Sequence, residues 1–244
     1  MSGFDTLWDW RRRVADLYAQ VRAEPEPVAA WQHWRAVRDG LYRTHPQTPL
    51  EDTAGFEGLP FFDYDPALRF LVDVEAFEGD ELSLPAGDDG EVRLRPFGRT
   101  LGLRDALGGE LTLYWLLGYC GGVFLPFADG TSGAETYGGG RYLLDTIKSA
   151  DLGLAADGRR VLDFNFAYNP SCAYSPQYVC PLSPRGNRLP VAVRGGERAG
   201  LYIAAGEPDP TKLNVTVSGV AAGQGGMEDA AEPEGAAVGG LVVE

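Results

Sequence analysis

Lysine is almost missing from this 244-residue chain. Lys148 and Lys212 are the only two among 21 basic residues, against 35 acidic ones, and the net charge is −14. That balance excludes the concentrated basic surface that nucleic acid requires, so no nucleic-acid partner is expected. An acid excess with so little lysine suggests a halophilic, acidic protein. At molar salt a Debye length of roughly 3 Å screens repulsion among surface carboxylates. The plainer explanation is arginine replacing lysine through the codon bias of a high-GC genome. Histidine is also scarce: His33 and His45 are the only two. This restrains catalytic readings, because histidine is the usual general base near neutral pH. Three cysteines (Cys120, Cys172 and Cys180) are too few for a disulfide scaffold. No stretch approaches the roughly 20 apolar residues of a membrane helix, so no membrane partner is expected. The opening MSGFDTLWDWRRRVADLY is mixed in charge and has neither the apolar core nor the cleavage site of a secretory signal. The chain reads as cytoplasmic.

What is present is an ordinary globular composition, with 44% hydrophobic and 23% charged residues. Phe4, Leu7, Val14, Leu17, Tyr18 and Val21 recur at helical steps, and Ser2 or Asp5 can cap that helix. EPEP at Glu24–Pro27 interrupts it, because proline removes a donor and restricts its neighbour. A second helix is predicted from about Val28 to Tyr42, with Trp31, Trp34 and Leu41 on one side. From Phe61 the period becomes two. RFLVDVEAF, EVRLRPF, ELTLYWLL, GVFLPF, RYLLDTI and VLDFNFAY read as strands, RLPVAVRGG as one more, and Leu213–Val217 as an addition. Turns such as GDDG, LGGE and AADG separate them, with no helices between. The fold class is therefore mainly β: an antiparallel β-barrel or sandwich with two N-terminal α-helices. Residues 1–50 form the helical segment packed on the core, and residues 51–205 form the β domain. The acidic, glycine-rich tail 206–244 cannot bury enough surface to offset its ordering entropy, so disorder is expected there.

Two loops hold the polar residues that chemistry needs. FADGTSGAETYGGGRYL joins two strands and carries Asp129, Glu135, Tyr137 and Arg141. Arg141 can hold a carboxylate or phosphate bidentately, or can pair with Asp129 or Glu135 merely to fix the loop. GGGR is not a phosphate loop, since it lacks the GK[ST] ending and precedes a strand. FNFAYNPSCAYSPQYVC offers Asn165, Tyr168 and Asn169 beside Cys172 and Cys180. These cysteines allow a disulfide, a reactive thiol, simple packing, or a transition-metal site such as zinc completed by His45 and a carboxylate or water. The eight-residue separation is wider than the C-x₂₋₄-C common in zinc sites.

The motifs THPQTPL, GLPFFDYDPALRF, FLPFADGTSGAETYGGGRYL and LDFNFAYNPSCAYSPQYVCPLSPRGNRLPVAVRGGER occur in order. Together they resemble a prokaryotic family known only as domain of unknown function 1684, with similarity over about Trp8 to Arg198. The resemblance implies that His45, Cys172 and Cys180 belong to the recurring signature, whereas Cys120 does not. It implies no activity and no cofactor. The reading adopted is a small-molecule-binding β-barrel whose site lies at loops 129–141 and 165–188. Asp129, Glu135, Tyr137, Arg141, Asn165, Tyr168 and Asn169 would contact the ligand. An enzyme at the same place is a second reading, using Asp129 or Glu135 as base or a Cys/His metal. A non-catalytic structural or interaction protein is a third.

Overall fold

The computed structural model describes residues 3–85, 90–119 and 121–200, together with the short strand Thr216–Val217. The tail expected to be disordered lies outside the described residues apart from that strand, as do Ser2 and Cys120. Two helices come first, α1 (Gly3–Ala23) and α2 (Pro27–Thr44). Pro27 opens α2, where its missing N–H costs nothing. The predicted apolar stripe of α1 is correct at Leu17, Tyr18 and Val21, which are buried, but Phe4 is 66% exposed and Trp10 takes a place in the core.

Seven strands follow: β1 (Arg69–Ala76), β2 (Leu82–Pro85), β3 (Glu91–Leu101), β4 (Thr112–Leu116), β5 (Gly122–Phe127), β6 (Arg141–Asp145) and β7 (Arg160–Asp163). All pair antiparallel in the order β6-β5-β4-β3-β1-β7. The long β3 shares one edge between β2 and β1 and gives the other to β4. Thr216–Val217 (β8) pairs with β2. Beyond β7 the chain reaches back to β6. Tyr142 N–H donates to the Tyr168 carbonyl at 2.9 Å, and Tyr168 N–H to the Tyr142 carbonyl at 3.1 Å. This pair brings the two ends of the sheet together into a nearly closed barrel and leaves little edge to pair elsewhere.

Two sequence-based strands need correction. VLDFNFAY stays extended only to Asp163. The Asp163 carboxylate then accepts from Asn165 N–H at 3.0 Å and turns residues 164–166 into one 3₁₀ turn. A short acidic side chain that satisfies the backbone locally competes with the ladder. RLPVAVRGG forms no strand; its pairing is a single parallel bridge from Arg188 to Ala128. LSLP at β2 escaped the sequence reading because four residues give too little periodicity.

The sheet is apolar on both faces. Leu84, Leu94, Tyr114, Phe124 and Tyr142 pack against Leu17, Trp31 and Trp34 of the helices, with Trp34 fully buried. Val72, Leu113, Leu125, Phe127 and Leu143 pack on the other face with Leu103, Leu162, Phe164 and Val193. The helices are thus built into the core, covering one face through aromatic residues. Among the described residues, no helix is long and apolar enough to cross a membrane.

Candidate functional site

The two polar loops touch where the Tyr137 hydroxyl meets Cys172 and where Ser183 N–H donates to the Gly139 carbonyl at 3.1 Å. The first loop's Arg141 turns to the segment 193–197 instead. Arg141 opens β6 at 1% exposure, and its guanidinium turns inward. One terminal nitrogen donates to Asp129 Oδ2 at 2.8 Å and to the Val193 carbonyl at 2.9 Å. The other donates to the carbonyls of Gly195 and, at 3.2 Å, Glu197. Asp129 is equally occupied. Its Oδ1 accepts from Thr131 N–H at 2.7 Å, Thr131 Oγ1 at 2.6 Å and Val193 N–H at 3.2 Å. A carboxylate so fully engaged and buried has little left to offer a substrate. The planar fork of arginine satisfies three carbonyls of the segment 193–197, which forms no ladder of its own.

Two asparagines outside that segment are spent on backbone in the same way. Asn187 accepts from Thr112 N–H at 2.9 Å and donates to the carbonyls of Thr112 and Pro126, both at 2.8 Å. Asn165 brackets Asp65, accepting from its N–H at 2.9 Å and donating to its carbonyl at 2.8 Å. Gly196 sits at φ +77°, and a Cβ there would stand 2.4 Å from the Ala167 carbonyl oxygen and 2.8 Å from that of Phe164. Gly196→Ala is therefore expected to lose at least ~2 kcal/mol in urea unfolding, through backbone strain and clash together.

Glu135 points outward instead. It meets Arg194 with contacts of 2.8 to 3.1 Å, and that guanidinium holds its carboxyl below the usual carboxylate range. Tyr137 is buried, its hydroxyl 3.6 Å from Cys172 Sγ. Cys172 N–H donates to Cys180 Sγ at 3.2 Å. His45 does not join the cysteines. Its Nδ1 accepts from Gln47 N–H at 3.1 Å, and its Nε2 lies 3.3 Å from Asp9 Oδ2 of α1. Helix α2 ends with its chain turned toward α1, and this carries the imidazole onto Trp10. Among the described residues, no group of three or more His, Cys, Asp or Glu is placed to hold a metal.

Of the residues predicted to contact a ligand, Tyr168 and Asn169 line a cavity. It measures about 370 Å³ and lies between α1, α2 and the segments 147–150 and 168–171. Trp8, Trp10, Tyr18, Tyr42 and Tyr168 give aromatic surface, and Val14, Ala15 and Ile147 aliphatic surface. Arg11, Arg12, Arg38 and Lys148 also line it, and among the described residues no acidic residue is in the wall. Carboxylates outside the wall anchor three of these cations, Arg12 meeting Asp9 at 2.9 Å and Asp16 at 3.1 Å. Arg38 meets Glu197 at 3.1 Å, and Lys148 meets Asp145 at 3.3 Å. The Arg38 guanidinium is also framed by the rings of Trp34, Tyr42 and Tyr168 at 5.0 to 5.1 Å. Asn169 is 2% exposed; its amide nitrogen donates to the Arg198 carbonyl at 3.1 Å, while its Oδ1 has no hydrogen-bond partner among the described residues.

Glu197 gives this floor a pH dependence. Burial lifts its carboxyl from the ordinary 4.5 to about 7, opposed by Arg38 and the Asn169 N–H. The folded state then holds the proton more tightly than the unfolded chain. This contribution to stability is complete below pH 4.5 and is lost as pH rises through about 7. Glu197→Gln should flatten that slope. The stability difference between variant and wild type is expected to shift in favour of the variant by on the order of 3 kcal/mol across the window, read by urea unfolding at a series of pH values.

A family model described as "Protein of unknown function (DUF1684)" matches residues 54–198. The chain belongs to that family. The match starts after the helices, so His45 lies outside it, as do the α1 and α2 walls of the cavity; Tyr168, Asn169, Cys172 and Cys180 lie inside. The chain is similar to an uncharacterized protein from gene locus rrnAC0354 of Haloarcula marismortui, solved by solution NMR. Identity is 34% over 70% of this chain and 92% of that one, with a TM-score of 0.48. No curated protein matches the chain.

The sequence reading missed α1 as a wall of the cavity. Trp8, Trp10 and Arg11 were part of a helix scanned for its core-facing stripe alone. Arg38 and Glu197 carried no local motif, since they stand 159 positions apart.

Proposed function

We propose that this protein binds a small molecule with an apolar, ring-sized body and an anionic group, in the cavity between α1, α2 and the segments 147–150 and 168–171. The observation that carries the reading is the lining itself. Four cationic and five aromatic residues face one concave space, with no acid among the described residues of the wall, in a chain of net charge −14. Aromatic rings supply apolar contact for the body, and arginine and lysine supply charge-assisted donors for the anion. The unmatched Asn169 Oδ1 favours a ligand that also carries a donor, because a buried acceptor without a partner costs free energy. Asp129, Arg141 and Asn165 serve in this reading by fixing the loops beneath the site.

A matched pair of probes tests it: 2-naphthalenesulfonate and 2-naphthylmethylammonium, titrated by calorimetry at equal ionic strength. The anion is expected to bind at least ~10-fold more tightly, a difference of ~1.4 kcal/mol. Equal affinity, or preference for the cation despite the cationic wall, would overturn the reading.

A further inference from the structure

Outside the cavity, Cys172 and Cys180 bring two thiol-bearing residues into direct contact, backbone N–H to sulfur. Cys172 is the middle residue of a short 3₁₀ turn, Ser171–Ala173, while Cys180 arrives at the end of the loop that follows. That turn aims the Cys172 N–H at Cys180 Sγ, 3.2 Å away, which sets the two cysteines side by side. Both residues are partly exposed. Cys172 and Leu182 pack against a buried cluster that includes Tyr42, Tyr137 and Tyr174. The loop's ends are therefore held in place while its middle, Pro176 and Gln177, faces solvent.

The geometry points to a redox-modification site: a hydroperoxide converts Cys172 and Cys180 to an intramolecular disulfide, with Cys180 as attacking sulfur and Cys172 as resolving sulfur. The roles follow from the hydrogen bonds. A backbone N–H donates to Cys180, which favours negative charge on that sulfur. Negative charge on Cys180 in turn keeps the Cys172 proton in place, and the Cys172 thiol is pushed well up. In the first step the Cys180 thiolate attacks one peroxide oxygen. The O–O bond breaks, leaving Cys180 as sulfenic acid and releasing hydroxide, or alkoxide from an alkyl hydroperoxide. In the second step the Cys172 sulfur attacks Cys180 sulfur, the S–O bond breaks, and the departing hydroxide takes the Cys172 proton and leaves as water. Two thiols lose two electrons, and the peroxide gains them. The bond would join a segment whose preceding residues, Pro170 and Ser171, line the cavity.

The test uses the full chain and hydrogen peroxide, with non-reducing peptide mapping by mass spectrometry. The expected product is a Cys172–Cys180 linkage in the monomer, lighter by two hydrogens and reversed by dithiothreitol. The Cys172→Ser variant should instead trap sulfenic acid at Cys180, captured by dimedone. In the reduced wild type, iodoacetamide should label Cys180 at least ~10-fold faster than Cys172, a readout that needs no variant to fold. Linkage through Cys120 or between chains, separate oxidation of the two thiols, or faster labelling of Cys172 would overturn the proposal.

Discussion

Arg141→Met is expected to destabilise the protein by about 3–5 kcal/mol, the usual loss when one partner of a buried ion pair is removed. The arginine and Asp129 side chains are 1% and 0% exposed, so water cannot replace what is lost. Methionine fills much of the volume but leaves Asp129 charged beside Thr131 and Val193, and leaves the carbonyls of Val193, Gly195 and Glu197 short of donors. A domain of ordinary stability has only about 5–15 kcal/mol to lose. The midpoint of urea unfolding measures the effect. Arg141→Lys returns the charge to Asp129 but cannot reach the three carbonyls with one ammonium, so it should recover only part of the loss. Adding Asp129→Asn to Arg141→Met should also recover part, because the buried charge is gone. A loss below ~1 kcal/mol for Arg141→Met would mean that the segment 193–197 is held by something else.

The polar loops show what a sequence discloses and what it withholds. Alternating residues identify a strand and its two faces, so β1, β3, β4, β5 and β6 were legible from Phe70, Val72 and Val74 onward. The juxtaposition of residues 129–141 with the segment after 165 followed from placing both at strand ends. Direction was hidden. An arginine in a glycine-rich loop reads alike whether it faces a ligand or three backbone carbonyls, and the carbonyls of 193–197 have no signature. The same ambiguity covers Asn165, whose amide brackets Asp65 from 100 positions away. Asp163 broke the last strand because its side chain met the backbone two residues on, a competition that periodicity does not register. The cavity was the least legible feature. Its floor, Tyr168 and Asn169, was read from the loop, but its walls come from helices whose docking depends on aromatic packing across the whole chain.

Ala15→Trp is expected to weaken binding of 2-naphthalenesulfonate by at least ~100-fold, about 2.7 kcal/mol, while leaving the unfolding midpoint nearly unchanged. Ala15 lies on α1 between Val14 and Asp16, is only partly buried, and faces the cavity. An indole placed there is directed at existing space of about 370 Å³. Tryptophan costs the helix only a few tenths of a kcal/mol relative to alanine, and burying the ring offsets that. The variant thus removes the space without removing a charge. Lys148→Met does the reverse: it keeps the space and deletes one cation, so the anionic probe should lose several-fold in affinity while neutral naphthalene loses none. If Ala15→Trp leaves probe affinity intact, the probe sits elsewhere on the surface, and the cationic wall is a structural device that holds Glu197 and Asp145 in place. If the indole blocks the probe and Lys148→Met discriminates anion from neutral ring, then shape and charge act at one place, which a non-specific surface patch cannot reproduce.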